Sequence, residues 1–476
     1  MILSSLPSST LSKGASLLSL VAVGLLAGCK VGPNYARPAV TAPPAFRGAE
    51  GAQVSSDTKG SLGDEQWAAV YREPELQELI RKALANNYDV KIAAQRILEQ
   101  KAQVKITRAK EFPTLSFGGT GIGASLPSSL GTSIASPLVD GAFSLNASWT
   151  PDFWGQYRRQ TEAARATLLA QEWAQRAVRL TLVEDVATDY IQLRAYDRQL
   201  EITQNTLRVR QDSLDLTKKL ESGGSSPLSD VRQAEQLLYT ASSEIPQLEQ
   251  DIQEEENAIT LLLGEDPGPI VHKDPNALIP PPQDLPTGLP SQLLERRPDI
   301  QEAEATLISA NAQIGVARAQ FFPSLPINAS AGLGGSTFSS LVDIASKTIY
   351  GYGSLSQPIF SGGKLRGQLQ LSQATKEEMV VTYQKTIAGA FRDVSNALIA
   401  LNKQRTNREQ QEKLVAAAQD ATRLARMRYQ GGSTSYLEVL TTDSTLYSAQ
   451  LNLVTAQQNE ALALVQLYSA LGGGWQ

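Results

Sequence analysis

Cysteine and histidine occur once each in the 476 residues, and methionine three times. One cysteine cannot close an internal disulfide, and one histidine removes most metal-ligand and nucleophile–base arrangements. No phosphate loop, metal spacing or paired nucleophile and base is visible, so no enzyme, cofactor or metal site is expected. Aromatic residues make up 6% of the chain, against an abundance of Ala, Gln, Leu and Glu. That balance favours long helices with much exposed surface over one dense core. The formal net charge is −5 with no basic block, so nucleic acid is not an expected partner. Beyond the first thirty or so residues no apolar run is long enough for a transmembrane helix. A mature chain can then meet a bilayer only through acyl chains or β-strands.

The N-terminus is a targeting segment. Lys13 supplies a short positive region, Leu17 to Leu26 an apolar one, and Leu26-Ala27-Gly28-Cys29 then forms a lipobox. Removal of residues 1–28 leaves Cys29 at the new N-terminus, placed for lipidation. Residues 29–72 are rich in Pro, Ala, Gly and Ser and are expected to tether the lipidated end to the body, with Trp67 and Tyr71 the first packed residues.

The body is organised by the stretch Leu294 to Pro323. Ile300, Ala303, Leu307, Ala310, Ile314 and Ala317 recur at steps of three and four, which is one apolar stripe along a helix. Pro298 suits its first turn and Pro323 ends it. Leu325, Ile327, Ala329, Ala331 and Leu333 then alternate with Asn328, Ser330 and Gly332, as in a strand. The pattern occurs twice: Asp89-Val90, Gln103-Val104 and Phe112-Pro113 lie 210 residues before Asp299-Ile300, Gln313-Ile314 and Phe322-Pro323. The expectation is an internal two-fold repeat, residues 73–264 and 291–473, joined by a Pro-rich linker at 265–290 that holds His272.

Each repeat offers two strands. In the first they are Thr114 to Leu126 and Ala142 to Thr150, around a loop at Pro127 to Pro137. In the second they are Leu325 to Gly334 and Thr348 to Gln357. Phe143, Leu145, Ala147 and Trp149 against Ser144, Asn146, Ser148 and Thr150 is the two-residue alternation of a membrane barrel strand. A half-buried strand of a soluble sandwich has the same pattern. Tyr350 and Tyr352 suit a membrane interface. Gly119 to Ala124 fits a dinucleotide fingerprint in letters only, since no helix opens there.

Each strand pair leads into a long helix pair. Val186, Leu193, Leu200, Leu207 and Leu214 fall every seven residues, with Ile202, Val209 and Leu216 as a second line. This repeat implies supercoiling against neighbours on two sides. The region spans roughly 95 Å if unbroken. Glu221 to Pro227 turns the first pair and Gln430 to Thr434 the second, and Pro246 is expected to kink its helix. Four strands per chain cannot close a barrel and open edges are not tolerated in lipid, so chains must pool strands. A trimer gives about twelve.

LERRPDI at 294–300, NAQIGVARAQFFPSL at 311–325, ALGGGW at 470–475 and VGPNYARP after Cys29 together resemble the TolC-like outer-membrane efflux factors, in the OprM/NodT lipoprotein branch. The resemblance covers essentially the whole mature chain. It implies an α+β membrane protein: a homotrimeric twelve-stranded β-barrel in the outer membrane, four strands per chain, continuous with a long periplasmic α-helical barrel. It implies a periplasmic adaptor (membrane fusion) protein and an inner-membrane pump of the RND class as partners, and lipid on Cys29. Such channels are closed at the periplasmic tip until the adaptor engages. The tip here is the two turns: Gly223, Gly224, Ser225, Gly431, Gly432 and Ser433 would face the adaptor. Arg426, Arg428, Tyr429, Asp230, Glu438 and Asp443 would latch neighbouring helices. Many relatives carry an aspartate where this chain has Thr441, and Asp443 is the substitute candidate for an acidic ring. The alternatives are an exit duct for secreted proteins or metal ions, and a coiled-coil scaffold lipoprotein without a pore.

Overall fold

The computed structural model describes residues 30–48, 61–124, 138–271, 290–335, 343 and 347–475. The signal segment, Cys29, the loop at 127–137 and His272 lie outside the described residues. The helices are α1 (Trp67–Val70), α2 (Pro74–Asn86), α3 (Tyr88–Ala109), α4 (Gln156–Ser222), α5 (Leu228–Leu263), α6 (Leu293–Arg296), α7 (Pro298–Ala319), α8 (Lys364–Gln430) and α9 (Tyr436–Ala470). The strands are β1 (Thr114–Ala124), β2 (Leu138–Trp149), β3 (Ile327–Gly335) and β4 (Lys347–Gly353). The chain divides into two compact units: Met1–Pro38, Ile97–Ala170 and Ala303–Tyr383 in one, Ala39–Arg96, Gln171–Glu302 and Gln384–Gln476 in the other.

The first unit holds one antiparallel sheet of order β1-β2-β3-β4. Register sorts its faces. Phe117 pairs with Leu145, Leu145 with Ala331, and Ala331 with Ile349, giving an apolar face. On it Leu115, Phe117, Phe143, Leu145 and Ile349 are exposed, and the Phe117 and Phe143 rings stack at 5.9 Å. Ser116 pairs with Asn146 and Asn146 with Ser330 on the other face, where Ser330 donates to Asn146 at 2.8 Å. Tyr350 pairs with Ser330 and Tyr352 with Asn328, so both tyrosines stand on this polar face. That corrects the interfacial placement expected for them: the two-residue period of the strand puts Ile349, not the tyrosines, on the apolar side.

Strand ends differ from expectation for backbone reasons. β3 starts at Ile327 because Pro326 has no N–H to give to a ladder, and β4 stops opposite it at Gly353. The stripe on α7 is also wider than one face: Ala305, Ala312, Val316 and Ala319 are buried along with Ile300, Leu307, Ile314 and Ala317.

In the second unit α2, α4, α5, α8 and α9 share a core that includes Ile80, Val186, Leu193, Ile259, Val394 and Leu467, each at most 0% exposed. Burial of each such side chain contributes about 1.5–3 kcal/mol. Packing begins earlier than Trp67: Phe46 is buried in this core and its ring lies 6.4 Å from Phe391, so part of the expected tether belongs to the body. α5 runs through Pro246 unbroken. It ends at Gly264 (φ 68°), where Gly264 N–H donates to Leu261 and Glu265 N–H to Thr260, a left-handed cap. A Cβ there would stand 2.6 Å from the Asn86 carbonyl. Asn87 opens α3 by accepting from the N–H of Asp89 and Val90. LERRPDI and ALGGGW meet: Arg297 binds Asp299 at 2.7 Å and donates to the Ala470 carbonyl at 3.1 Å. α3 and α7 each have 22 residues, and α4 and α8 each have 67.

Candidate functional site at the helix turns

The two turns of the second unit have one geometry. Ser225 N–H donates to Leu220 and Gly224 N–H to Glu221; Ser433 N–H donates to Arg428 and Gly432 N–H to Tyr429. Gly224 and Gly432 carry φ of 74° and 68°, the left-handed region that a glycine enters at least cost. Nothing lies within 4 Å of a Cβ built on either, so both turns are open. Behind them Leu214, Val231, Leu238, Ala425, Tyr436 and Val439 form a small core that ties α4, α5, α8 and α9 together.

Above this core the charges pair. Asp443 is buried at 8% exposure and both carboxylate oxygens are occupied: Arg210 Nε donates to one at 3.0 Å, Arg426 to the other at 2.7 Å. Arg210 is itself buried, donates also to the Leu237 carbonyl at 2.9 Å, and lies 5.0 Å from the Tyr447 ring centre. Tyr447 donates to Glu244 and lies 2.9 Å from the Thr203 hydroxyl. Burial and the Glu244 carboxylate push its phenol up to about 12.

The remaining expected residues separate. Arg428 binds Glu438 at 2.7 Å in an exposed pair, which also receives the Thr434 hydroxyl. Asp230 accepts from Ser226 at 2.8 Å and from Ser229, not from an arginine. Tyr429 packs against Tyr436 at 5.3 Å, and its buried hydroxyl has no hydrogen-bond partner among the described residues. Thr441 is exposed and donates to Leu437 of its own helix. Asp443 is therefore a buried counter-ion for two arginines within the chain, rather than a free acid. Arg210, Tyr447 and Glu244 were not singled out in the sequence: α4 carries many arginines, and only tertiary contact distinguishes Arg210.

Further along the same unit, Asp189 is raised to about 6 by burial and by Asp185, and Glu255 to about 7 by burial and by Asp189. In the first unit the residues after Cys29 are bound tightly. Arg159, 1% exposed, donates to the carbonyls of Val31 (3.3 Å) and Gly32 (3.2 Å) and to the Asn34 side chain (2.9 Å), and pairs with Glu162. Asn311 donates to the Pro33 carbonyl at 3.1 Å. Buried Glu304 accepts from Arg37 at 2.7 Å and Tyr35 at 3.0 Å. Gly315 lies against Gly32, whose added Cβ would reach it at 2.5 Å.

The family model for outer membrane efflux proteins matches residues 79–265 and 289–473. The chain belongs to the outer membrane efflux protein family. Among its relatives, the cation efflux system protein CusC of Escherichia coli O6:H1 is 34% identical over 458 residues, 95% of this chain and 97% of that one. The toluene efflux pump outer membrane protein TtgI of Pseudomonas putida is 35% identical over 96% of this chain and 98% of its own length. The open state of the MtrE outer membrane channel of Neisseria gonorrhoeae superposes with a TM-score of 0.82 at 27% identity, covering 94% of this chain and 99% of that one. As a member of this family the chain is an outer-membrane efflux channel of Gram-negative type, the exit duct of a tripartite system, and not an enzyme. The exposed apolar face of its sheet suits that location.

Proposed function

We propose that three copies of the chain close one twelve-stranded barrel, continuous with a barrel of their long helices, and that the chain is an internal duplication. The observation that carries this is the sheet itself. Among the described residues it has four strands, an exposed apolar face, and two unpaired edges, β1 and β4. Edges in lipid leave backbone groups unsatisfied, and four strands are too few to close. Of the second heptad line Ile202 is buried within the chain, while Val209 and Leu216 are exposed and support helix contacts beyond it.

The duct is passive. A periplasmic adaptor contacts Gly223–Ser225 and Gly431–Ser433 and opens it, and an inner-membrane pump of the proton-driven RND class energises export. Cys29 carries diacylglycerol and an amide-linked palmitate. Arg426 and Asp443 hold the tip closed, with Arg428–Glu438 a weaker outer pair. Three methionines and one histidine favour organic solutes over a metal relay as cargo. Planar-bilayer recording of the purified protein tests the reading: ion-conducting pores are expected. Heat-stable trimers without conductance, even in an Arg426→Ser variant, would mean a scaffold instead.

A further inference from the structure

At the end of the sheet where β3 and β4 pair, the polar face carries small side chains apart from two tyrosines. Across from Tyr350 the row runs Ser330, Asn146, Ser116; across from Tyr352 it runs Asn328, Ser148, Thr114. The tyrosine rings lie two residues apart on β4, stacked at 6.5 Å with 14° between planes, and both are more than half exposed. Among the described residues their only aromatic contact is with each other. Side chains that stabilise a sheet from within meet partners across the strands, and on the β3 side of this pair none is aromatic or aliphatic. Here the partners are serine and asparagine.

We propose that Tyr350 and Tyr352 are the specificity-determining side chains of the barrel lumen, taking aromatic organic cations in transit on their ring faces. The inference rests on the channel reading, in which the apolar face meets lipid and the opposite face meets water. In a trimer six rings then project from a wall that at their level is made of Ser, Asn and Thr. They narrow the lumen at one level and offer the negative faces of π-systems to cations and flat surfaces to aromatic groups. Contacts of this kind at exposed sites are weak, which suits a duct whose cargo must also leave.

Two measurements in planar bilayers test this on the full-length channel. First, Tyr350→Cys and Ile349→Cys are each exposed to a charged, membrane-impermeant methanethiosulfonate, with the parent chain as background. Current block in Tyr350→Cys and none in Ile349→Cys is expected; the reverse pattern overturns the proposal. Second, block by benzyltrimethylammonium is compared with block by tetramethylammonium. The double variant Tyr350→Ala/Tyr352→Ala should raise open-channel conductance and weaken benzyltrimethylammonium block by about two- to fivefold, the range of one exposed cation–π contact. Tyr350→Phe/Tyr352→Phe should keep that block. Equal block in parent and Ala variant overturns the binding role. If the parent forms no pore at all, the channel reading fails rather than this one.

Discussion

Arg426→Ser should release the closed tip, by an amount the geometry bounds. Asp443 holds two arginines of different exposure: Arg210 with 4% of its side chain accessible and Arg426 with 39%. Loss of Arg426 leaves Asp443 its bond to Arg210, so no charge is orphaned. A hydrogen bond to a charged group contributes about 1.5–3 kcal/mol when shielded. With Arg426 over a third exposed, solvent screening lowers this to about 1 kcal/mol. Lost only from the closed state, that is about fivefold in the open-to-closed ratio per protomer. If the three protomers open together, the combined shift of about 3 kcal/mol is somewhat more than a hundredfold. Asp443→Asn acts differently. It leaves Arg210 buried without its counter-ion, which costs about 3–5 kcal/mol of folding stability, so melting falls as well. The assay is time-averaged conductance in planar bilayers beside thermal denaturation. Arg426→Ser should raise conductance with little change in melting, Arg428→Ser should change neither much, and Asp443→Asn should lower melting. The reasoning is refuted if Arg428→Ser opens the channel more than Arg426→Ser, or if Arg426→Ser leaves the closed-state conductance unchanged.

Other expectations follow from single contacts. Gly264→Ala combines a left-handed φ with a Cβ 2.6 Å from the Asn86 carbonyl, whereas Gly224→Ala meets open space; the first should lower the melting temperature clearly more than the second. Leu145→Lys on the apolar face of β2 should cost about 2–4 kcal/mol if it lies near the membrane midplane and reduce barrel yield, while Asn146→Lys on the polar face should assemble and alter ion selectivity. Glu255 and Asp189 have folded pKa values raised to about 7 and about 6, so the folded state holds protons that the unfolded state releases. Their contribution is fully present below about pH 4 and is lost as pH rises from there through 7, so melting should fall across that range, and less so in Glu255→Gln. Arg37→Gln strands the buried Glu304 carboxylate, so it should destabilise more than Glu304→Gln, and adding Glu304→Gln to it should restore part of the melting temperature.

Much of the fold was legible because it is periodic. Heptad spacing in α4, the helix-to-strand change after Pro323 and the alternation of Phe143 to Trp149 each reflect one repeating geometry. The paired glycines of the turns were legible for a related reason, since a left-handed cap selects one residue type. What escaped was set by register and by distant contact. The alternation of β4 is weak, and aromatic residues in a membrane strand suggest an interface; only pairing with Ser330 and Asn328 puts Tyr350 and Tyr352 on the polar face. Arg210 and Asp443 are 233 residues apart, and their buried pairing has no local signature. The same holds for Phe46, an isolated apolar residue in a Pro- and Ala-rich stretch that reads as a tether.

Residues 31–37 have a consequence for the anchor. Arg159, Asn311 and Glu304 are buried polar groups of α4 and α7 whose partners are largely supplied by this short stretch. With Cys29 acylated as proposed, the lipid is attached one residue before Lys30, which is itself paired with Glu162 at 2.7 Å. Almost no slack separates the acyl chains from the folded protein. The anchor is then a rivet rather than a leash. It fixes the depth at which the bilayer meets the barrel unit, and lengthening the chain between Cys29 and Lys30 would uncouple the two without touching a single buried contact.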